Sequence, residues 1–261
     1  MDIAPRLDAQ ALLNKVPEAT IHFWVIKILA TSVGETAADF LNLNLNFGLT
    51  GTSVFMAGLL ALALFGQVRA KGYLPWLYWV TVVLISIVGT LITDNLSDNF
   101  GISLWTTTLA FSLALLATFA VWYARERTLS IHSIHTRRRE LFYWAAILLT
   151  FSLGTAAGDL VAESMKLGYA NSAFLFGGLI AAVTLVYFVA GTQAVLAFWL
   201  AYILTRPLGA SCGDYLSQPA ANGGLGLGTV QTSALFLAAI ATLVIYLSLS
   251  RKDMAKLEST P

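Results

Sequence analysis

An all-α, polytopic membrane protein of eight helices, arranged as four two-helix repeats, is the fold this chain predicts. Three observations point to it. Of 261 residues, 57% are hydrophobic and only 11% charged, against about 25% charged in a soluble domain; the mean hydropathy is +0.75. Eight apolar runs approach the roughly 20 residues that cross a ~30 Å hydrocarbon core. One pattern also returns four times, a Trp followed ten residues later by Gly and five after that by Asp: Trp24/Gly34/Asp39, Trp79/Gly89/Asp94, Trp144/Gly154/Asp159 and Trp199/Gly209/Asp214.

The runs cover residues 20–41, 53–69, 75–96, 104–124, 141–163, 172–191, 195–216 and 229–249. Lipid offers no partner to the backbone, and the runs are too long for barrel strands, so they read as helices. The segment 1–19 is too long and acidic for a signal-peptide start and reads as mature cytoplasmic sequence. Trp24 to Trp144 and Trp79 to Trp199 both span 120 residues. The chain therefore divides into a first half (20–124), a polar linker (125–140), a second half (141–250) and a tail (251–261). With two spans per repeat, all four repeats share one orientation, as parallel repeats about axes near the membrane normal.

Orientation follows from the basic residues. One set of loops carries Arg6, Lys15, Arg69, Lys71, Arg125, Arg127, Arg137, Arg138, Arg139, Arg251, Lys252 and Lys256; the opposite set carries Lys166 alone. The positive-inside rule puts both termini in the cytoplasm. Each repeated Trp follows another aromatic (Phe23, Tyr78, Tyr143, Phe198). Amphipathic rings favour the headgroup level, so these doublets read as interfacial anchors. Trp to Asp is ~22 Å of helix rise, which puts the acids in the outer half of the membrane.

The motifs GETAAD (34–39), GTLITD (89–94), GTAAGD (154–159) and RPLGASCGD (206–214) carry a resemblance to a bacterial inner-membrane family of unknown function. That family has four tandem repeats, each with two transmembrane segments and a tryptophan. The resemblance covers residues 20–250. It implies the fold and a bacterial inner-membrane setting, and brings no established activity.

The acids are the chemistry-bearing residues, because an ionisable side chain in hydrocarbon is costly. Glu35 lies four residues before Asp39, Asp98 four after Asp94, and Glu163 four after Asp159. Residues i and i+4 share a helix face, so three repeats present a carboxylate pair; the fourth has Gln218 beside Asp214. Against these seven acids stand two bases within the spans, Lys27 and Arg206. Closely spaced carboxylates in low dielectric cannot all ionise without a cation, so protons or metal ions must balance them. Asn42, Asn95, Asn99, Thr31, Ser32, Thr93, Thr155 and Ser211 add neutral oxygens, and an oxygen-rich set suits Mg²⁺, Mn²⁺ or Ca²⁺. Asp39, Asp94, Asp159 and Asp214 are the expected metal-binding core. The outer acids could equally cap helices or meet water.

Lys27 and Arg206 each precede an acid by eight residues, ~12 Å along the axis, so their partners are expected on other helices, or the Lys27 head snorkels outward. Arg206 and Lys27 read as counter-ion or gating residues, Arg206 as the internal counter-ion, and Pro207 should bend the helix that carries Arg206. The run Asn222–Gly228 reads as an outer loop rather than a phosphate loop, since no strand precedes it and no Lys-Ser/Thr follows. His132 and His135 read as part of a solvated linker that meets anionic lipid. With Cys212 as the lone cysteine, no internal disulfide is possible, and soft-metal sites are disfavoured.

These features point to a secondary transporter exchanging a small inorganic cation, a divalent metal such as Mn²⁺, for protons. The lipid bilayer, the cation and protons are its expected partners, with no nucleic acid and no enzymatic activity. A cation channel ringed by the four repeated acids is the alternative. An intramembrane metal-dependent enzyme lacks supporting motifs, and Lys27 on the first helix would be an odd Schiff-base site for a pigment.

Overall fold

A computed structural model describes residues 14–44 and 48–254, the side chains of residues 43 and 44 excepted. Among them are eight long helices and no strand: α1 (Ile21–Asn44), α2 (Gly48–Arg69), α3 (Pro75–Asp94), α4 (Leu104–Glu126), α5 (Arg137–Asp159), α6 (Tyr169–Ala190), α7 (Ala194–Ser217) and α8 (Thr229–Ser250). Arg6 and Lys256, counted in the charge bias, lie outside the described residues. Local chemistry sets several boundaries. Pro75 opens α3 in the first turn, where its missing N–H costs nothing. Ser103 and Thr136 cap α4 and α5, their hydroxyls accepting from the N–H groups of Thr106 (3.2 Å) and Arg139 (3.3 Å). α6 ends on Gly191 in the left-handed region, φ 63°.

Helices α2 to α8 are each long and apolar enough to cross a membrane, so the chain is a multi-pass membrane protein. α1 is 24 residues long but carries Lys27, Glu35 and Asp39 in its apolar run. The helices divide into two sets. Of their most apolar stretches, α3, α5 and α7 bury 72%, 67% and 50%, whereas α2, α4, α6 and α8 bury 22%, 11%, 6% and 22%. The first set is the core of the bundle and the second its outer layer.

The inner helices form a closed ring: α1 packs on α3, α3 on α5, α5 on α7, and α7 back on α1. The repeated glycines make these contacts close. A Cβ on Gly34 would meet Ser86 Oγ at 1.8 Å; on Gly89, Phe151 Cβ at 2.9 Å; on Gly154, Arg206 Cγ at 2.3 Å; on Gly209, Thr31 Oγ1 at 1.8 Å. Residues 31, 86, 151 and 206 occupy one position of the repeat, so each glycine admits the same residue of the following repeat. Small residues permit such approach between membrane helices.

The outer layer corrects the expected hairpins. α2 packs on α3, α4 on α5, α6 on α7, and α8 on α1. Each outer helix thus covers the inner helix of the next repeat, while touching its own repeat's inner helix little. Repeats interlock, and α8 completes the circle. No interface stands apart as a boundary between two halves, because the contacts between the halves match those within them.

The aromatic doublets are also corrected. Phe23 meets Trp79 (centroids 5.6 Å apart), Tyr78 meets Trp144 (5.5 Å), Tyr143 meets Trp199 (6.3 Å), and Phe198 closes on Trp24 (5.5 Å). Trp79, Trp144 and Trp199 are buried. Their rings turn into the bundle and join neighbouring repeats, because edge and tilted aromatic pairs pack better than isolated rings. Beneath this layer the linker is packed rather than free: Ile131 and Ile134 are buried, and Trp199 Nε1 donates to Leu129 O at 2.9 Å. Lys15 pairs with Glu140 at 2.6 Å and donates to Val68 O at 2.9 Å.

Candidate functional site

Two turns beyond the aromatic layer, the ring interior becomes polar. Arg206 of α7 is fully buried. Its Nη2 donates to Glu35 Oε2 on α1 (2.8 Å), to Thr155 Oγ1 on α5 (2.7 Å) and to Thr90 Oγ1 on α3. Its Nη1 donates to Thr31 O at 3.3 Å. One guanidinium therefore binds all three other inner helices. Glu35, Thr90 and Thr155 sit at one position of the repeat, the residue after the repeated Gly. Ala210 fills that position in α7 and leaves room for the guanidinium one turn earlier. Thr90 carries no charge and is not among the acids and hydroxyls that the sequence singles out; its place in register with Glu35 is the signal that finds it.

Pro207 does not break α7, which runs unbroken through it from Ala194 to Ser217. The ring packs against glycine instead: a Cβ on Gly154 would lie 3.0 Å from Pro207 Cδ, and one on Gly158 3.6 Å from Pro207 Cα and Cβ. The proline fits because α5 presents no side chain there.

One turn further, the acids gather. Oxygens of Glu35, Asp159 and Asp214 lie within 4.8 Å of one another. Charge interactions link Asp39 to Asp94, Asp94 to Asp159, Asp159 to Asp214 and Asp214 to Asp39, with Glu35 interacting with all four. The repeated aspartates thus ring the axis. Asp214 and Glu35 are buried, while Asp39, Asp94 and Asp159 are half-buried. Glu35, Asp159 and Asp214 supply the hard oxygen donors that Mg²⁺, Mn²⁺ or Ca²⁺ prefer.

Two further expected acids sit at the solvent edge of this ring: charge interactions link Asp98 to Asp39 and Asp94, and Glu163 to Asp39, Asp159 and Asp214. Asp98 and Glu163 are exposed; Asp98 accepts from Ser97 Oγ (2.9 Å) and Glu163 from Tyr169 Oη (3.0 Å). The cause is local. After Asp94 and again after Asp159 the chain widens into one π-helical turn, Asn95–Asn99 and Leu160–Ser164. At these wider turns both acids reach solvent while keeping their charge interactions with Asp94 and Asp159; such turns recur at functional sites. Gln218 does not pair with Asp214 but reaches α1, its Nε2 donating to Asp39 Oδ2 at 3.4 Å. Asn95 and Asn99 bond to Thr50 (3.0 and 3.2 Å), tying the π turn to α2.

The Gly-rich loop offers nothing to a phosphate. The N–H groups of Leu225, Gly226, Leu227 and Gly228 donate to the carbonyls of Tyr215, Gln218, Leu216 and Ser217, at 2.7–3.1 Å. They satisfy the last turn of α7, whose carbonyls would otherwise lack partners. Lys27 does not snorkel: it is fully buried, with Nζ over the rings of Phe151 (4.1 Å) and Tyr202 (4.2 Å). Of the two linker histidines, His132 bonds to Glu18 at 3.2 Å.

Comparison with known proteins bears on the repeats. The Repeat of Unknown Function (DUF347) matches residues 22–73, 77–128, 142–193 and 197–253. The chain belongs to this family. Each DUF347 repeat holds one inner and one outer helix, so the sequence unit and the packing unit are out of step by one helix. No curated protein and no solved structure matches the chain.

Proposed function

We propose that the protein is a secondary transporter of a small inorganic cation, a divalent metal such as Mn²⁺ exchanged for protons. In this reading all eight helices span a bacterial inner membrane, with both termini cytoplasmic. The observation that carries it is the meeting of Glu35, Asp159 and Asp214 oxygens within 4.8 Å, beside a guanidinium bound to the same Glu35. Three carboxylates and one Arg leave a charge of −2 if all ionise, which a divalent cation or two protons balance. That equivalence is the chemical basis of exchange.

Arg206 is the tethered cation of the resting site. A metal that takes Glu35 as a ligand displaces the guanidinium, and the hydroxyls of Thr90 and Thr155 keep it partnered. Asp39 and Asp94 line the approach. The interlocked aromatic layer closes the opposite end of the axis, which favours a carrier over a continuously open channel.

The test is uptake of a metal panel into proteoliposomes across a pH gradient. Asp159→Asn and Asp214→Asn are expected to abolish saturable, proton-coupled flux. Asp98→Asn and Glu163→Gln should leave most of it. Flux unchanged in the first two variants would overturn the assignment, and conductive, unsaturable flux would favour the channel.

A further inference from the structure

Lys27 is a buried ionisable group that the carboxylate site does not use. Its Nζ has no hydrogen-bond partner among the described residues, and it lies between the faces of Phe151 and Tyr202 at 4.1 and 4.2 Å. Phe151 also stands 5.9 Å from the guanidinium carbon of Arg206, so one ring separates the two basic side chains. Residues 27 and 202 hold the same repeat position, one turn nearer the aromatic layer than Arg206. Within that layer, Tyr78 and Tyr143 share a hydroxyl–hydroxyl bond of 2.5 Å, and the Tyr202 hydroxyl is buried without a partner among the described residues.

The surroundings accept both charge states of an amine. Two aromatic faces hold an ammonium without an anion. The lack of an acceptor and the full burial suit a neutral amine equally well. Nearest in register to it are Tyr78 on α3, Tyr143 on α5, and Tyr202 and Arg206 on α7, with Glu35 two turns on along α1 itself. Asp39, Asp94, Asp159 and Asp214 on the same four helices lie one turn further, beyond the guanidinium; on α8, Tyr246 lies against His22 instead. Glu35 is already bound to Arg206. Arg cannot lose its charge, whereas a buried Lys can.

We infer that Lys27 carries one of the protons exchanged for the cation, alternating between an ammonium held by Phe151 and Tyr202 and a neutral amine. This rests on the transport reading above. A cation bound at Glu35 adds positive charge to a region that already holds Arg206. The ammonium then loses H⁺, keeping its nitrogen electron pair, and the proton leaves toward the Tyr202, Tyr78 and Tyr143 hydroxyls. Departure of the cation reverses the step.

The experiment measures protons released per Mn²⁺ bound by purified full-length protein in weakly buffered detergent solution. Lys27→Met and Lys27→Arg should each release about one proton fewer than the wild type. Both should lose pH-gradient-driven Mn²⁺ uptake in proteoliposomes while keeping Mn²⁺/Mn²⁺ exchange. Lys27→Arg retains a cation over the rings, and so answers even where Lys27→Met fails to fold. Wild-type proton release from both variants overturns the inference and leaves the transport reading intact. Wild-type protein that binds no divalent ion overturns the transport reading and the inference with it.

Discussion

The two ends of the inner ring use the same four repeats in opposite ways. At the aromatic end the repeats are equivalent: each doublet meets the Trp of the next repeat, and the circle closes from Phe198 to Trp24. At the carboxylate end equivalence is broken. Glu35 faces Thr90 and Thr155 at one repeat position, Arg206 enters from α7, and π turns follow Asp94 and Asp159. Packing needs only complementary surfaces, which four copies of one unit supply. A charge-binding site needs unlike groups at one place, and that requires the copies to diverge.

The contrast can be broken most severely at Arg206. Arg206→Met leaves Glu35 buried without its partner, and removing one member of a buried pair costs about 3–5 kcal/mol. The unfolding midpoint in detergent should fall accordingly. The double variant Glu35→Gln/Arg206→Met should recover much of that loss, because no uncompensated charge remains. Additive losses in the double variant would show that the two residues do not act as a pair.

The symmetric packing is sharpened by a smaller change. In Gly34→Ala the new methyl meets Ser86 Cβ at 2.5 Å and its carbonyl carbon at 2.9 Å, so α1 and α3 must separate; overpacking of this kind costs about 1–3 kcal/mol. A methyl at Gly178, on outer helix α6, meets nothing within 4 Å. Gly178→Ala should be neutral or gain up to about 1 kcal/mol from helix propensity. Thermal midpoints of the two variants separate ring from periphery.

The smallest effect lies outside the membrane, at the linker. The hydrogen bond that the protonated His132 ring donates to the Glu18 carboxylate raises the pKa of His132 above its ordinary 6.5. A raised pKa on folding stabilises fully below the unfolded value, and the gain is lost as pH rises through the folded one. Both side chains are partly exposed, so the pair is worth on the order of 0.2–1 kcal/mol. His132→Ala should lower the midpoint slightly at about pH 6 and not at about pH 9. An equal loss at both pH values would assign His132 a packing role instead.

Much of this architecture was legible in the residues themselves. Apolar length marked all eight helices, and the Trp/Gly/Asp spacing marked four repeats. Carboxylates and bases inside apolar runs marked the residues that gather at the axis. Glu35, Asp159, Asp214 and Arg206 could be named as candidates because burying them demands compensation. Other features depended on which helix faces which. An i, i+4 rule assumes a regular helix, so it could not foresee the π turns at which Asp98 and Glu163 become exposed. Trp79 and Tyr78 have the same amphipathic chemistry at a headgroup as in a core, so only packing turned them inward.

By itself the sequence determined what had to be compensated and how often: one acid per repeat, a glycine five residues before it, two bases to set against the acids. Tertiary structure alone decided the pairing. The order of helices around a ring is set by contacts between repeats, which leave no periodic trace within any one of them. Hence the placing of α8 on α1, of Arg206 on Glu35 and of Lys27 between two aromatic faces emerged only once the circle was closed.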